Sequence, residues 1–307
     1  MKIPTVQLVL LSLILVSMGG AQIRTRAIEK LPVEKLHEWS SPQFSPDGER
    51  IYLTRSDFEG IWEYAPGTRF LRQISGDRGS GYGFAVSADG TRIAYRRSTA
   101  EATSRGKSQE LVEEDLRYGT LSVLASGADI SLPAYARSSL VYSAGKKTIH
   151  PAQTSATSVP TLLGIEDTKI AVQMNGGKVF LDPLGHGSYI WPALSPDKTR
   201  IVAVEMDRGA FVCDLQGNVL VRLGKRDAPV WTRDGKWIVY MNDIDDGHAI
   251  LRSDICCVSP DGSQTMQLTE TPDILEMNPQ CSPTDDTIVC NTPDGDIYLI
   301  RYAEGER

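Results

Sequence analysis

The chain has 307 residues, with 39 acidic and 32 basic side chains and a formal net charge of −7 at pH 7. This balance argues against nucleic acid and anionic lipid as partners, because both are bound by clustered Lys and Arg. The 41% of hydrophobic residues suffice for a core, and the 23% of charged residues are too few for a disordered chain.

The first 21 residues have the pattern of a secretory signal peptide. Lys2 precedes an apolar run from Val6 to Val16, and Gly19-Gly20-Ala21 supplies small residues before a cleavage site at Gln22. The run is shorter than the roughly 20 residues of a membrane-spanning helix, although a retained anchor is the alternative. We therefore expect removal of residues 1–21, a periplasmic or secreted protein, and no membrane insertion after cleavage.

A unit consisting of a tight turn followed by a strand recurs along the rest of the chain. In its Ser-Pro-Asp-Gly turn, Pro fixes φ, Asp accepts a local hydrogen bond, and Gly tolerates positive φ. The β-branched and aromatic run that follows is typical of a strand. Copies cover Ser41–Gly48, Gly83–Gly90, Trp191–Lys198, Ala228–Gly235 and Asn278–Asp285, and a degenerate copy covers Leu132–Ser139.

Two further strands follow the turn unit in most copies, such as Gly60–Tyr64 and then Phe70–Ile74. Each unit therefore holds up to four antiparallel strands. One such sheet cannot bury both of its faces, so the copies must pack radially. The sequence predicts an all-β fold with a single β-propeller over residues 22–307.

The number of blades follows from the anchor residue of each second strand. The anchors are Ile51, Ile93, Leu140, Ile170, Ile201, Ile238 and Ile288. Their mean spacing of about 40 residues suits a four-stranded blade. This favours seven blades over six, and the six-blade alternative merges the short units around Leu140 and Ile170. The insertion Arg97–Gln109 should be an exposed loop.

The last unit has no fourth strand of its own before Arg307. We expect the N-terminal segment to close the propeller, with a strand inside residues 24–36. Pro32 belongs on an edge, because it cannot donate to a strand ladder.

The repeated Pro-x-aromatic-Ser-Pro-Asp-Gly unit resembles the WD-repeat-like repeats of TolB-type propellers. The resemblance covers nearly the whole mature chain and implies the propeller fold, but it implies little about function. The short stretch between Gln22 and the first turn leaves no room for the N-terminal domain of TolB. A TolB-type translocation role is therefore not expected.

Related propellers suggest two kinds of enzyme. Prolyl-oligopeptidase-like hydrolases need a G-x-S-x-G elbow, which is absent from this sequence. Oligogalacturonate lyases of similar fold carry a His-rich metal centre. The four histidines here, His37, His150, His186 and His248, form no HxH or HxxxH pair. We expect them to be unconnected, with no catalytic residue and no cofactor.

The densest acidic cluster is Asn242–His248, whose Asp243, Asp245 and Asp246 are candidate calcium ligands. It lacks the later Glu of an EF-hand loop, so we expect an exposed turn without metal.

The five cysteines are Cys213, Cys256, Cys257, Cys281 and Cys290. Export permits disulfides, and Cys281–Cys290 across the turn at 282–286 is at the edge of reach. Small apolar strand residues are the simpler interpretation. Trp62 and Trp231 should pack between blades, although an aromatic platform for a glycan is an alternative.

These observations favour a non-catalytic exported propeller that acts as a monomeric scaffold for a protein or peptide in the cell envelope. The alternative is a polysaccharide-active lyase or hydrolase using carboxylates or histidines in the channel. Convergent His or Asp side chains in the channel would favour the enzyme. An apolar or mixed patch on one face would favour the scaffold.

Overall fold

The computed structural model describes residues 22–99, 108–136, 138–145, 147–149, 159–175, 177–185 and 187–305, so the predicted signal peptide and most of the insertion after Arg97 lie outside it. Its regular structure consists of strands. In chain order they are β1 Gln22–Lys30, β2 Trp39–Phe44, β3 Ile51–Arg55, β4 Ile61–Ala65, β5 Phe70–Ser75, β6 Ala85–Val86, β7 Arg92–Ser98, β8 Gln109–Asp115, β9 Thr120–Gly127, β10 Ala134–Ala136, β11 Ser139–Ala144, β12 Lys147–Ile149 and β13 Thr161–Glu166. They continue as β14 Lys169–Met174, β15 Gly177–Leu181, β16 Tyr189–Leu194, β17 Arg200–Glu205, β18 Gly209–Asp214, β19 Val219–Gly224, β20 Asp227–Trp231, β21 Ile238–Asp245, β22 Ile250–Val258, β23 Thr265–Gln267, β24 Met277–Cys281, β25 Thr287–Asn291 and β26 Ile297–Gly305.

The strands of the described residues form seven antiparallel sheets, numbered here in chain order. The first is β2–β5, the second β6–β9, the third β10–β12, the fourth β13–β15, the fifth β16–β19, the sixth β20–β23, and the seventh joins β24, β25, β26 and β1. The predicted anchors from Ile51 to Ile288 each lie in the second strand of a sheet and are buried.

The repeated turn joins the first strand of a sheet to the second through one hydrogen-bond pattern. Ser45 Oγ donates to Asp47 Oδ1 at 2.5 Å and accepts from the backbone N–H of Arg50 at 2.9 Å. The turns at Ser87 and Ser195 repeat both bonds. Because the serine satisfies the backbone locally, the chain can reverse while this side chain is fully buried.

Apolar packing between neighbouring sheets forms the core. Successive residues of a strand point to opposite faces, so Ile288 packs against the sixth sheet while Val289 packs against the first. Each described sheet contributes to two apolar clusters, one shared with the sheet before it and one with the sheet after it. The molecule is therefore a single all-β propeller, as the repeat predicted.

β1 lies along the outer edge of β26, with Gln22 opposite Gly305 and Lys30 opposite Tyr298. Ile23 is 3% exposed and joins the cluster between the sixth and seventh sheets. Thr25 Oγ1 donates to the carbonyl of Leu268, the residue that follows β23 of the sixth sheet, at 2.5 Å. The strand begins at Gln22, earlier than expected, and ends before Pro32.

The cysteines require one correction. Cys281 lies opposite Ile288, and all five thiols are free and buried. The hypothesised bridge between Cys281 and Cys290 is not formed, because diagonal neighbours on a sheet have Cβ atoms about 7 Å apart, beyond disulfide reach. Both pack as small apolar residues in the same cluster.

Among the residues described, no helix has the length and apolar character needed to cross a membrane.

The two isoleucines of β1 provide a test of how much this strand stabilises the ring. Ile23→Ala should lower the free energy of unfolding by about 2–4 kcal/mol, because it leaves a cavity between two sheets. Ile28→Ala, at a position 36% exposed, should lower it by less than about 1 kcal/mol. Urea titration of residues 22–307 measures both. An equal loss of unfolding free energy in the two variants would contradict a stabilising role for the buried face of β1.

Burial also predicts the reactivity of the thiols. It raises the pKa of Cys256 to about 11 and that of Cys257 to about 12, so little thiolate forms near neutrality. A chromogenic disulfide reagent should therefore find almost no reactive thiol in the native protein. After unfolding without reductant it should find all five, and a count of three would contradict the free cysteines.

Candidate functional site

A channel runs along the axis of the ring, between the first strands of the sheets. One compartment of about 770 Å³ is lined by β2, β16, β20, β24 and the turns that follow them. A second, of about 610 Å³, lies against β6, β10 and β13. Gln43, Leu194 and Lys198 line both compartments. The channel is therefore large enough for a ligand or a peptide side chain.

Four of the first strands share an unusual backbone in front of a proline. Ser41, Trp191, Ala228 and Asn278 each precede a proline and have φ between 47° and 51°. Each sits in a register shift of its strand pair, where the extra residues stay unpaired. All four line the larger compartment together with their prolines.

This backbone conformation is unfavourable in free energy, so packing in the surrounding structure must hold it in place. A non-glycine residue at positive φ is destabilised by roughly 1–2 kcal/mol relative to ordinary strand geometry. Proline suits the next position, because it lacks an N–H that would otherwise face the channel unpaired. Strain of this kind clusters at binding sites. The sequence signal for this backbone is a proline three residues before each Ser or Thr of the turn, a spacing that by itself does not indicate a channel.

Trp191 is the tryptophan that the bulges expose. Its side chain is 42% exposed in the larger compartment, whereas the other four tryptophans are buried. Trp62 and Trp231 pack between sheets as predicted. An exposed indole gives the channel an apolar, flat contact surface.

The charged side chains of the channel are basic. Lys198 and Arg233 line it, and the lining residues of both compartments that the structure describes include no carboxylate and no histidine. His37 packs against Trp39 and Trp62, with ring centroids 5.2 and 5.0 Å apart. His248 lies in an exposed turn. His150 and His186 lie outside the described residues.

The candidate calcium residues are not all in an exposed loop. Asp243 and Asp245 belong to β21, whose ladder with β22 extends as far as Asp245, and the Asp243 side chain is only 10% exposed. Asp246 accepts the backbone N–H groups of His248 and Ala249 at 2.9 and 2.8 Å. In the described parts of the chain no group of three potential ligands is placed to hold a metal. The absence of calcium remains a prediction.

A carboxyl pair lies where the sixth sheet meets the channel entrance. Burial and the hydrogen-bonded carboxyl of Asp243 together raise the pKa of Asp227 to about 6. Lys225 Nζ lies 3.6 Å from Asp243 Oδ1 and 3.7 Å from Asp245 Oδ2, which opposes the shift. Asp227 therefore holds its proton below about pH 6 and loses it above that pH.

One face of the propeller, called here the upper face, collects the connections from second to third strands and from each sheet to the next. In an antiparallel four-stranded sheet these connections lie at the same end of the strands. Leu36, Tyr82 and Met206 are exposed in these connections, and Ile244 and Leu251 are exposed at the ends of β21 and β22 beside the turn that joins them. The Asp227–Asp243 pair lies at the same end.

The carboxyl pair predicts how stability depends on pH. The pKa of Asp227 is raised on folding, so its stabilising contribution is complete below its unfolded value near 4 and is lost as pH rises through 6. Asp227→Asn keeps a donor to Asp243 and removes this loss. Relative to wild type, the variant should gain about 1 kcal/mol between pH 4 and pH 8, after allowance for solvent screening.

Urea titrations at the two pH values measure this difference. Asp167→Asn, at an exposed turn of the fourth sheet, serves as the control and should give none. An equal pH dependence of wild type and Asp227→Asn would contradict the raised pKa of Asp227.

The chain matches no protein-family profile and no curated protein sequence. Solved structures of similar fold are numerous. TolB from Acinetobacter baumannii is 18% identical with a TM-score of 0.53, over 80% of this chain and 57% of TolB. This chain thus spans little more than half the length of TolB.

Two other solved structures are similar at low identity. The β-propeller domain of Cps50 (Swd1) from Myceliophteria thermophila is 8% identical, with a TM-score of 0.62 over 89% of this chain and 99% of that domain. Oligogalacturonate lyase in complex with manganese is 14% identical, with a TM-score of 0.51 over 86% of this chain and 77% of the lyase. At these identities the likeness shows the β-propeller fold alone.

Proposed function

We propose that this chain is a non-catalytic propeller that binds a protein or peptide on its upper face, at the mouth of the channel. The observation that carries the proposal is the exposure of Leu36, Tyr82, Met206, Ile244 and Leu251 on one face. Adjoining exposed apolar side chains are characteristic of interaction sites, and Ile244 and Leu251 lie on paired strands of the sixth sheet. Trp191 continues the apolar surface into the channel.

The proposal includes an architecture. Each of the seven sheets is one blade, and β1 closes the ring by serving as the outer strand of the last blade, over residues 22–307. The shared cluster between the seventh and first sheets supports this arrangement. We further propose that residues 1–21 direct export to the periplasm or medium, and that the mature protein acts as a monomer in the cell envelope.

An enzyme acting on polysaccharides is the second candidate. This candidate is favoured by a fold similar to that of oligogalacturonate lyase, but proteins of many functions share that fold. The exposed apolar residues favour protein or peptide binding, and we therefore rank the binding function first.

Capture of a partner by matched variants tests the proposal. Residues 22–307 carrying an affinity tag are cross-linked to envelope extract from the source organism, and the recovered proteins are quantified. Leu251→Asp and Met206→Asp should each reduce recovery of the main partner at least about tenfold, because a charge replaces a hot-spot contact. Their melting temperatures should match wild type, since both side chains are exposed.

Tyr118→Asp is the control, because Tyr118 is exposed on the turn between β8 and β9, at the opposite face. It should leave recovery unchanged. Equal recovery with all three variants, or no partner specific to wild type, would rule out binding on the upper face.

A further inference from the structure

A cavity separate from the two channel compartments opens on the upper face, beside the channel mouth, and is called here the upper cleft. It measures about 440 Å³ and lies between the first, sixth and seventh sheets. The turn between β21 and β22 forms one wall through Ala249 and Ile250. The connection into β24 forms another through Leu275 and Met277, and Pro293 and Trp39 complete the apolar lining.

The floor of the upper cleft is polar and connects to the channel. Asn278 lines both the cleft and the larger channel compartment. Its Nδ2 donates to Asn291 Oδ1 at 3.0 Å, and the same oxygen accepts the backbone N–H of Ser41 at 3.3 Å. These bonds hold two of the positive-φ residues together, so the cleft has a preformed floor. A ligand in the cleft can therefore extend toward the channel.

The rim of the upper cleft carries unneutralised negative charge. Glu38, Asp246, Asp273 and Asp294 are exposed, and each lies within three residues of a lining residue. Within the described ranges, none of these four lies within 4 Å of a Lys or Arg nitrogen.

The basic groups near the rim are already engaged. Arg252 pairs with Asp254 and Arg55 with Asp57, each at 2.7 Å. Lys30 and Lys35 share the carboxylate of Asp296, at 2.7 and 3.6 Å. An apolar cleft with an acidic rim is complementary to an apolar side chain flanked by positive charge.

We propose that the upper cleft binds an extended peptide segment of a partner protein, in which a bulky apolar residue is flanked by Lys or Arg. The apolar side chain enters between Ile250, Leu275 and Met277. The flanking cations face the acidic rim, and the peptide backbone meets Asn278 and the hydroxyl groups of Ser40 and Ser56. This inference rests on the proposed function and specifies the chemistry of the partner.

Two labelled peptides test the inference by fluorescence anisotropy with residues 22–307. One has Leu-Phe-Leu flanked on each side by two lysines, and the other has glutamates in the same places. The lysine peptide should bind at least about tenfold more tightly in about 20 mM salt, and most of this advantage should vanish near 0.5 M salt because exposed charges are screened.

Variants of the protein separate the apolar contribution to peptide binding from the electrostatic contribution. Leu275→Gln should weaken binding of the lysine peptide at least about fivefold at both salt concentrations, because it makes the cleft wall polar. Leu220→Gln, at an exposed position on β19, should have no effect. Asp273→Asn with Asp294→Asn should weaken binding in low salt, while Asp167→Asn should not.

Equal affinity for the two peptides, no saturable binding, or insensitivity to Leu275→Gln would overturn the inference. The proposed function can fail separately. If Leu251→Asp abolishes partner capture while the two peptides bind with equal affinity, binding on the upper face is supported and the proposed chemistry of the partner is contradicted. In the opposite outcome, the lysine peptide binds more tightly than the glutamate peptide, with Leu275→Gln weakening that binding, while Leu251→Asp and Met206→Asp leave partner capture unchanged. In that case the peptide site in the cleft is supported and the scaffold function is contradicted.

Discussion

Apolar packing between neighbouring sheets is the interaction on which the rest of this structure depends. Each second strand directs alternate residues to its two neighbours, as Val202 and Ile201 do in β17. In the part of the chain that the structure describes, both faces of each sheet pack against neighbouring sheets, so removing one sheet would expose apolar surface on both of its neighbours. Stability is thus a property of the ring, and individual connections on its faces are free to vary.

The same packing explains how strain persists along the channel. The first strands are held from outside by their hydrogen bonds to the second strands and by the buried turn serines, of which Ser195 is one. Inside, their edges meet no further strand. Bulges are therefore tolerated there, and they turn residues such as Trp191 and Asn278 into a rim around the axis.

The repeated turn and the apolar anchors made the fold predictable from sequence, because both depend on local chemistry. Ser45, Asp47 and Gly48 satisfy one another within a few residues, and Ile51 belongs to an apolar run that can be read directly. The candidate site was much less predictable. The exposure of Trp191 depends on a positive φ, and the contact between Asp227 and Asp243 depends on the register that sets Asp227 opposite Met241. Asp243 was placed in a loop because the extension of β21 up to Asp245 carries no local signal.

The pairing of β1 with β26 has a consequence for the order of folding. Glu29 and Arg301, which form an ion pair across these strands, are 272 residues apart in sequence. Contacts of such long range form late, because almost the whole chain must be ordered first. A partly folded ring therefore presents β26 as an open edge until its N-terminal partner arrives, and open edges recruit other chains. A chaperone that shields β26 during this interval would raise the yield of native protein without altering its final stability.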